Sequence, residues 1–112
     1  ISGVIDFYFS CNDFLMYDLL ICLNAWCFNG AHQFVPARAK ILLQSYHALH
    51  PITPEERASM QILARGAALR FLLTRCHDWL NRVDGALVTP KDPMEYAAKL
   101  QFHQHNNPLA PL

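Results

Sequence analysis

Gly3-Val4-Ile5-Asp6-Phe7-Tyr8-Phe9, continued by Cys11-Asn12-Asp13 and Tyr17-Asp18-Leu19, is the stretch on which the reading of this 112-residue chain turns. An apolar, β-branched pair running into a lone aspartate predicts a short buried strand that delivers one carboxylate, Asp6, to its end. Such a carboxylate is costly in apolar surroundings unless donors or a cation compensate it, and a bound metal is a good candidate. Behind it, Asn12 or Asp13 is placed to cap a helix running to about Phe28, with Asn29-Gly30 ending it. That helix is apolar on nearly every side and is expected at the centre of the core, which makes Asp18 its anomaly. The chain is therefore expected to be mainly α, with a short β segment at the N-terminus.

Beyond Gly30 the punctuation is clear. Gly30 to Phe34 reads as a loop, and Pro36 suits the first residue of a second helix that ends near His50, before Pro51. Thr53-Pro54-Glu55-Glu56 is a capping box and opens a long helical region to about Asn81, with interruptions expected near Ser59 or Gly66. Asp84-Gly85 turns the chain. Asp92-Pro93-Met94-Glu95 repeats the capping pattern and starts a last helix to about His103. Residues 1–105 form one helical unit in this reading, and 106–112 a flexible tail.

Composition narrows the function classes. Nine basic and nine acidic residues cancel, so nothing in the charge marks a nucleic-acid or anionic-membrane partner. The apolar run from Phe14 to Phe28 is broken by Asp18 and Asn24 and is too short to cross a bilayer. A hydrophobic content of 53% against 16% charged residues is high for a freestanding domain and predicts apolar surface that other segments cover. Cys11, Cys22, Cys27 and Cys76 show no Cys-x-x-Cys spacing; the last three read as small core residues of a reducing, cytoplasmic compartment. The pairs His47/His50 and His103/His105 lack a neighbouring cysteine or acid to complete a tetrahedral metal site. Trp26 and Trp79 read first as core aromatics.

Arg70 and Arg75 lie in the largely apolar stretch Ala67 to Leu80, where a guanidinium needs a carboxylate, a phosphate or several carbonyls. For Arg75 the plain partner is Asp78, three residues on along one helix face. The alternative for either arginine is the carboxylate of a substrate, which a bidentate fork suits.

Ile5-Asp6-Phe7 with Asn12-Asp13 and Tyr17-Asp18-Leu19 resembles the metal-binding segment of the aminoglycoside phosphotransferase and choline kinase superfamily. Arg65-Gly66-Ala67-Ala68-Leu69-Arg70-Phe71-Leu72-Leu73-Thr74-Arg75, Asp78-Trp79-Leu80-Asn81, Pro90-Lys91-Asp92-Pro93 and Phe102-His103-Gln104 are similar to the bacterial homoserine kinases of that superfamily. The resemblance spans roughly the first 104 residues. It implies the C-terminal lobe of a protein-kinase-like fold and ATP-dependent phosphorylation of the homoserine hydroxyl, a step of threonine biosynthesis. By the same resemblance Asp6 is a Mg²⁺ ligand, Arg70 and Arg75 are candidates to bind homoserine, and Asp13 and Asp18 are structural residues near the site.

The glycine-rich loop, the phosphate-pairing lysine and the catalytic-loop aspartate that a kinase requires are not found here. No catalytic residue is assigned within this chain, whose general base is expected in a preceding segment, and alone the chain is expected to be inactive. Two other readings stay open: a different small-alcohol or aminoglycoside phosphotransferase, and a non-catalytic helical binding module.

Overall fold

In the computed structural model, which describes residues 1–8, 10–85 and 87–107, four helices follow one another: α1 (Leu15–Trp26), α2 (Pro36–Leu49), α3 (Pro54–Leu80) and α4 (Met94–His105). The 27-residue α3 is the spine, roughly 40 Å long at helical rise. Helix α1 packs on its N-terminal part, α4 lies along it further on, and α2 adds to the α1 side. No helix among the described residues is long and apolar enough to cross a membrane.

Local chemistry accounts for most helix ends. The Thr53 hydroxyl accepts from the Glu56 amide, and the Glu56 carboxylate accepts from the Thr53 amide, so the capping box is complete. Pro36 opens α2 as expected. At α1 neither Asn12 nor Asp13 is the cap: the N-cap position is Phe14, which offers no side-chain acceptor, and Asp13 Oδ1 accepts only from the adjacent amide of Phe14. Asp92 likewise accepts from the amide of Met94 just before α4. No break occurs at Ser59 or Gly66. A Cβ at Gly66 would meet nothing within 4 Å, so that glycine weakens the helix locally without bending it. At Gly85 a φ of +80° confirms the turn read from Asp84-Gly85.

The core lies between α1 and α3. Met16, Leu19, Leu20, Leu23 and Cys27 meet Met60, Ala64, Ala39 and Leu43 there. The alanines of α3 matter because their small side chains let the α1 backbone approach, and Asn24 of α1 donates to the Ala64 carbonyl at 3.1 Å. After α1, Asn29 organises a tight reversal: its side-chain oxygen accepts from the amides of Ala31 and Gln33, and Phe28 pairs with Phe34 in an isolated antiparallel bridge. Phe28 and Phe34 then pack with Phe102 of α4, closing α1 against α4.

Three expectations are corrected. The N-terminal segment forms no strand among residues 1–8, because a strand needs a neighbour for its ladder and none lies beside it here. Trp26 is 62% exposed and Trp79 lies under the Arg82 guanidinium at 3.7 Å instead of in the core. The helix carrying Asp18 is buried on the face of Leu19, Leu20 and Leu23 only, while Leu15 and Trp26 face outward. The apolar excess in the composition is thus spent partly on exposed surface. The expected tail beyond Asn107 lies outside the described residues.

Candidate functional site

Asp6 stands in the irregular segment that precedes α1. Its φ of +71° places it in the left-handed region, uncommon for a non-glycine residue and tolerated best by Asn and Asp. Its side chain is exposed and makes no hydrogen bond or ion pair among the described residues. A carboxylate held on an unusual backbone with its lone pairs free suits a hard cation, which takes one or two carboxylates and fills its other positions with water and phosphate oxygens. The other two acids of the segment do not join it in a three-residue metal cluster. Asp13 accepts from the adjacent amide of Phe14 ahead of α1, and Asp18 is exposed in the first turn of that helix, where a negative charge complements the helix dipole.

Arg75 is satisfied within the protein. One nitrogen of its fork donates to Glu95 at 2.6 Å and to the Asp92 carbonyl at 2.9 Å, and its guanidinium lies over Tyr96. The ion pair foreseen for Arg75 exists, but across to α4 and not with Asp78, which instead stands beside the exposed His77 at 3.6 Å. Burial is the physical reason: the Arg75 side chain is 14% exposed, and Glu95 reaches it there while Asp78 sits on the solvent side. Arg70 is exposed, stacked over Phe71 at 4.4 Å, and in no ion pair among the described residues.

Two buried polar arrangements were not read from the sequence. Lys99 is almost fully buried, bonded to Glu95 at 2.5 Å and set over Tyr96 and Phe28. Glu95 thus serves two cations at once. Burial by itself raises its pKa, yet hydrogen bonds from Lys99 and Arg75, with their charges, outweigh that and bring it down to about 2. The i, i+4 spacing of Glu95 and Lys99 was the available signal.

His103 and Asn24 form the second arrangement. The Asn24 oxygen lies 2.8 Å from His103 Nε2, so that nitrogen carries the proton and donates, while the buried Nδ1 has no partner among the described residues. Desolvation, and then the nearby Arg65 charge, lower the His103 pKa to about 4. The unfolded chain therefore takes up a proton near pH 6.5 that the folded chain refuses until about pH 4. The contribution of His103 to stability is expected to be full above pH 6.5 and to drop by about 3 kcal/mol as pH falls from there to 4, with no further change from this group below. Urea melts across that range test this, since His103→Gln should abolish most of the slope. An unchanged slope in that variant would assign it to other groups.

The cysteines are free. Burial first, and then the charge of Asp18, raise the Cys22 thiol pKa, and Cys27 is buried with its thiol also pushed up by burial. Such thiols are poor nucleophiles and poor metal ligands.

Residues 1–52, which include Asp6 and the whole of α1, match the phosphotransferase enzyme family. The chain is 59% identical over 104 residues to a homoserine kinase of Afipia carboxidovorans, 57% over 104 residues to that of Rhodospirillum rubrum, and 58% over 105 residues to that of Rhodopseudomonas palustris. These matches cover 93% to 94% of this chain and 32% of each relative, so the chain spans about a third of the length of the relatives it matches. The helical architecture and the phosphotransferase kinship agree with the expectations from the sequence.

Proposed function

We propose that this chain is the C-terminal part of an ATP-dependent homoserine kinase, cytoplasmic and acting in threonine biosynthesis. The single observation that supports it best is the identity of 52% to 59% to homoserine kinases, sustained across 104 residues and all four helices. In the reaction the side-chain hydroxyl oxygen of homoserine bonds to the γ-phosphorus of ATP as the bond from that phosphorus to the bridging oxygen breaks. ADP leaves, and the hydroxyl proton passes to a general base that this chain does not contribute. Positioning and charge neutralisation supply most of the catalysis in phosphoryl transfer, so a segment without a reactive nucleophile can still hold an essential residue.

Asp6 is that residue in this reading. Its exposed carboxylate offers the oxygen donor that Mg²⁺ prefers, and Mg²⁺, when bound, offsets the negative charge of the phosphate oxygens. Asp13, bonded to the Phe14 amide, and Asp18, in the first turn of α1, are structural residues near the site in this reading. Of the two arginines, Arg70 is the better candidate for the homoserine carboxylate, because Arg75 is already bonded to Glu95 and Asp92. Neither a nucleic acid nor a membrane is a partner in this reading.

The test is a coupled ADP-release assay on the full-length enzyme with homoserine, choline and an aminoglycoside in parallel. Homoserine should be preferred by at least two orders of magnitude in kcat/KM, the scale of rejection when a site's buried polar groups lose their partners. Preference for another alcohol would move the enzyme elsewhere in the phosphotransferase family, and absence of any ATP turnover would favour a binding module.

A further inference from the structure

A cavity of about 350 Å³ opens between α2 and the first turns of α3, built entirely from residues 40–60 and thus independent of Asp6 and of the homoserine reading. Its floor is apolar: Leu43 and Met60 are buried, and Ile52 of the connection closes one side. Its rim is basic, formed by Lys40, His47 and Arg57, and no acid lines it. Neither Lys40 nor Arg57 is in an ion pair among the described residues. Glu56, the nearest acid in sequence, is held in the capping box with Thr53. His47 is oriented as well: its Nδ1 accepts from the Ile52 amide at 3.0 Å, which leaves Nε2–H as the donor of the neutral ring.

We propose that this cavity binds a small organic anion whose charged head sits among Lys40, His47 and Arg57 while its apolar body covers Leu43 and Met60. The volume lies at the lower end of the range for small-molecule sites, and an apolar floor with a few convergent polar groups is their usual composition. The charge pattern selects against amino acids and amines, because the lining offers no carboxylate to an ammonium group. A phosphomonoester fits best. It presents several acceptor oxygens to two cations and an oriented imidazole donor, whereas a neutral body alone would leave that rim unused.

The experiment is a titration of the full chain with phenyl phosphate, followed by the NMR signals of the methionine methyl groups. Met60 reports the cavity, and Met94 in α4, away from it, is the internal reference. Phenyl phosphate is expected to shift Met60 saturably while Met94 stays fixed. Lys40→Ala and Arg57→Ala should each weaken binding about two- to fivefold, the range for a charge pair at an exposed site. Inorganic phosphate, which lacks the apolar body, and benzyl alcohol, which lacks the charge, should both bind more weakly. Salt at about 0.5 M should weaken phenyl phosphate binding in the unsubstituted chain, a check that needs no variant to fold. The proposal is overturned if Met60 does not shift saturably, if both variants bind as tightly as the parent, if benzyl alcohol binds equally well, or if salt has no effect.

Discussion

Asp6→Ala in the full-length enzyme is expected to lower ATP-dependent phosphorylation of homoserine by at least a hundredfold while leaving the helical signal and Tm unchanged. Loss of one preorganised electrostatic contact at a reacting centre costs on the order of a hundredfold to a thousandfold, and a direct metal ligand belongs at the upper end. The structure explains why folding should be spared. Asp6 is exposed, bonds to nothing among the described residues, and lies outside every helix. Its left-handed φ is tolerated better by asparagine than by alanine, so Asp6→Asn is the variant that leaves the backbone least strained. Asp6→Asn separates charge from shape: it keeps the side-chain volume and removes the anion, so it should fall nearly as far as alanine. Near-normal turnover in either well-folded variant would remove Asp6 from the metal site. Loss of fold together with activity would make it a structural residue instead.

What could be read in advance follows from how local the determining physics is. The capping box at Thr53, the proline opening α2 and the Asp84-Gly85 turn are settled within four residues, and all appear where their side chains place them. The strand expected around Val4 and Ile5 failed for the opposite reason. A strand is completed by hydrogen bonds to another segment, and no composition within residues 3–9 can supply that partner. The interior polar links share this character. Asn24 and His103 are 79 positions apart, and only the fold reveals that an asparagine inside an apolar helix meets a histidine near the chain's end. Arg75 shows the intermediate case, since its need for an acid was plain from its apolar neighbours but Asp78 and Glu95 could be distinguished only by which one shares its buried side of α3. At the candidate site, the Asp-Phe pattern singled out Asp6, but its exposure and left-handed backbone could not be read from that pattern.

Glu95→Gln is expected to cost the isolated chain about 3 kcal/mol, the largest single effect on stability among its charged residues. The side chain of Glu95 is 30% exposed, but that of Lys99 is only 2% exposed and depends on Glu95 for its sole ionic partner among the described residues. Glutamine keeps the volume and one acceptor yet leaves two cations, Lys99 and Arg75, facing each other without an anion, and the deeper one cannot reach water. Lys99→Met is expected to be far milder, under about 1.5 kcal/mol, since it replaces a buried charge by an apolar chain of similar length and leaves Glu95 bonded to Arg75. The double variant should then recover most of what Glu95→Gln loses, because the stranded charge is gone. Acid unfolding supplies an independent check on the sign. With its pKa lowered to about 2 in the folded state, Glu95 stabilises fully above its ordinary value near 4.5, and that contribution is lost as pH falls from there through 2. Urea melts at pH 7 and at pH 3 therefore should differ less in Glu95→Gln than in the parent. A Glu95→Gln chain within about 0.5 kcal/mol of the parent at pH 7 would mean that Lys99 finds water or another acceptor, and that α4 is held to α3 by its aromatic contacts alone.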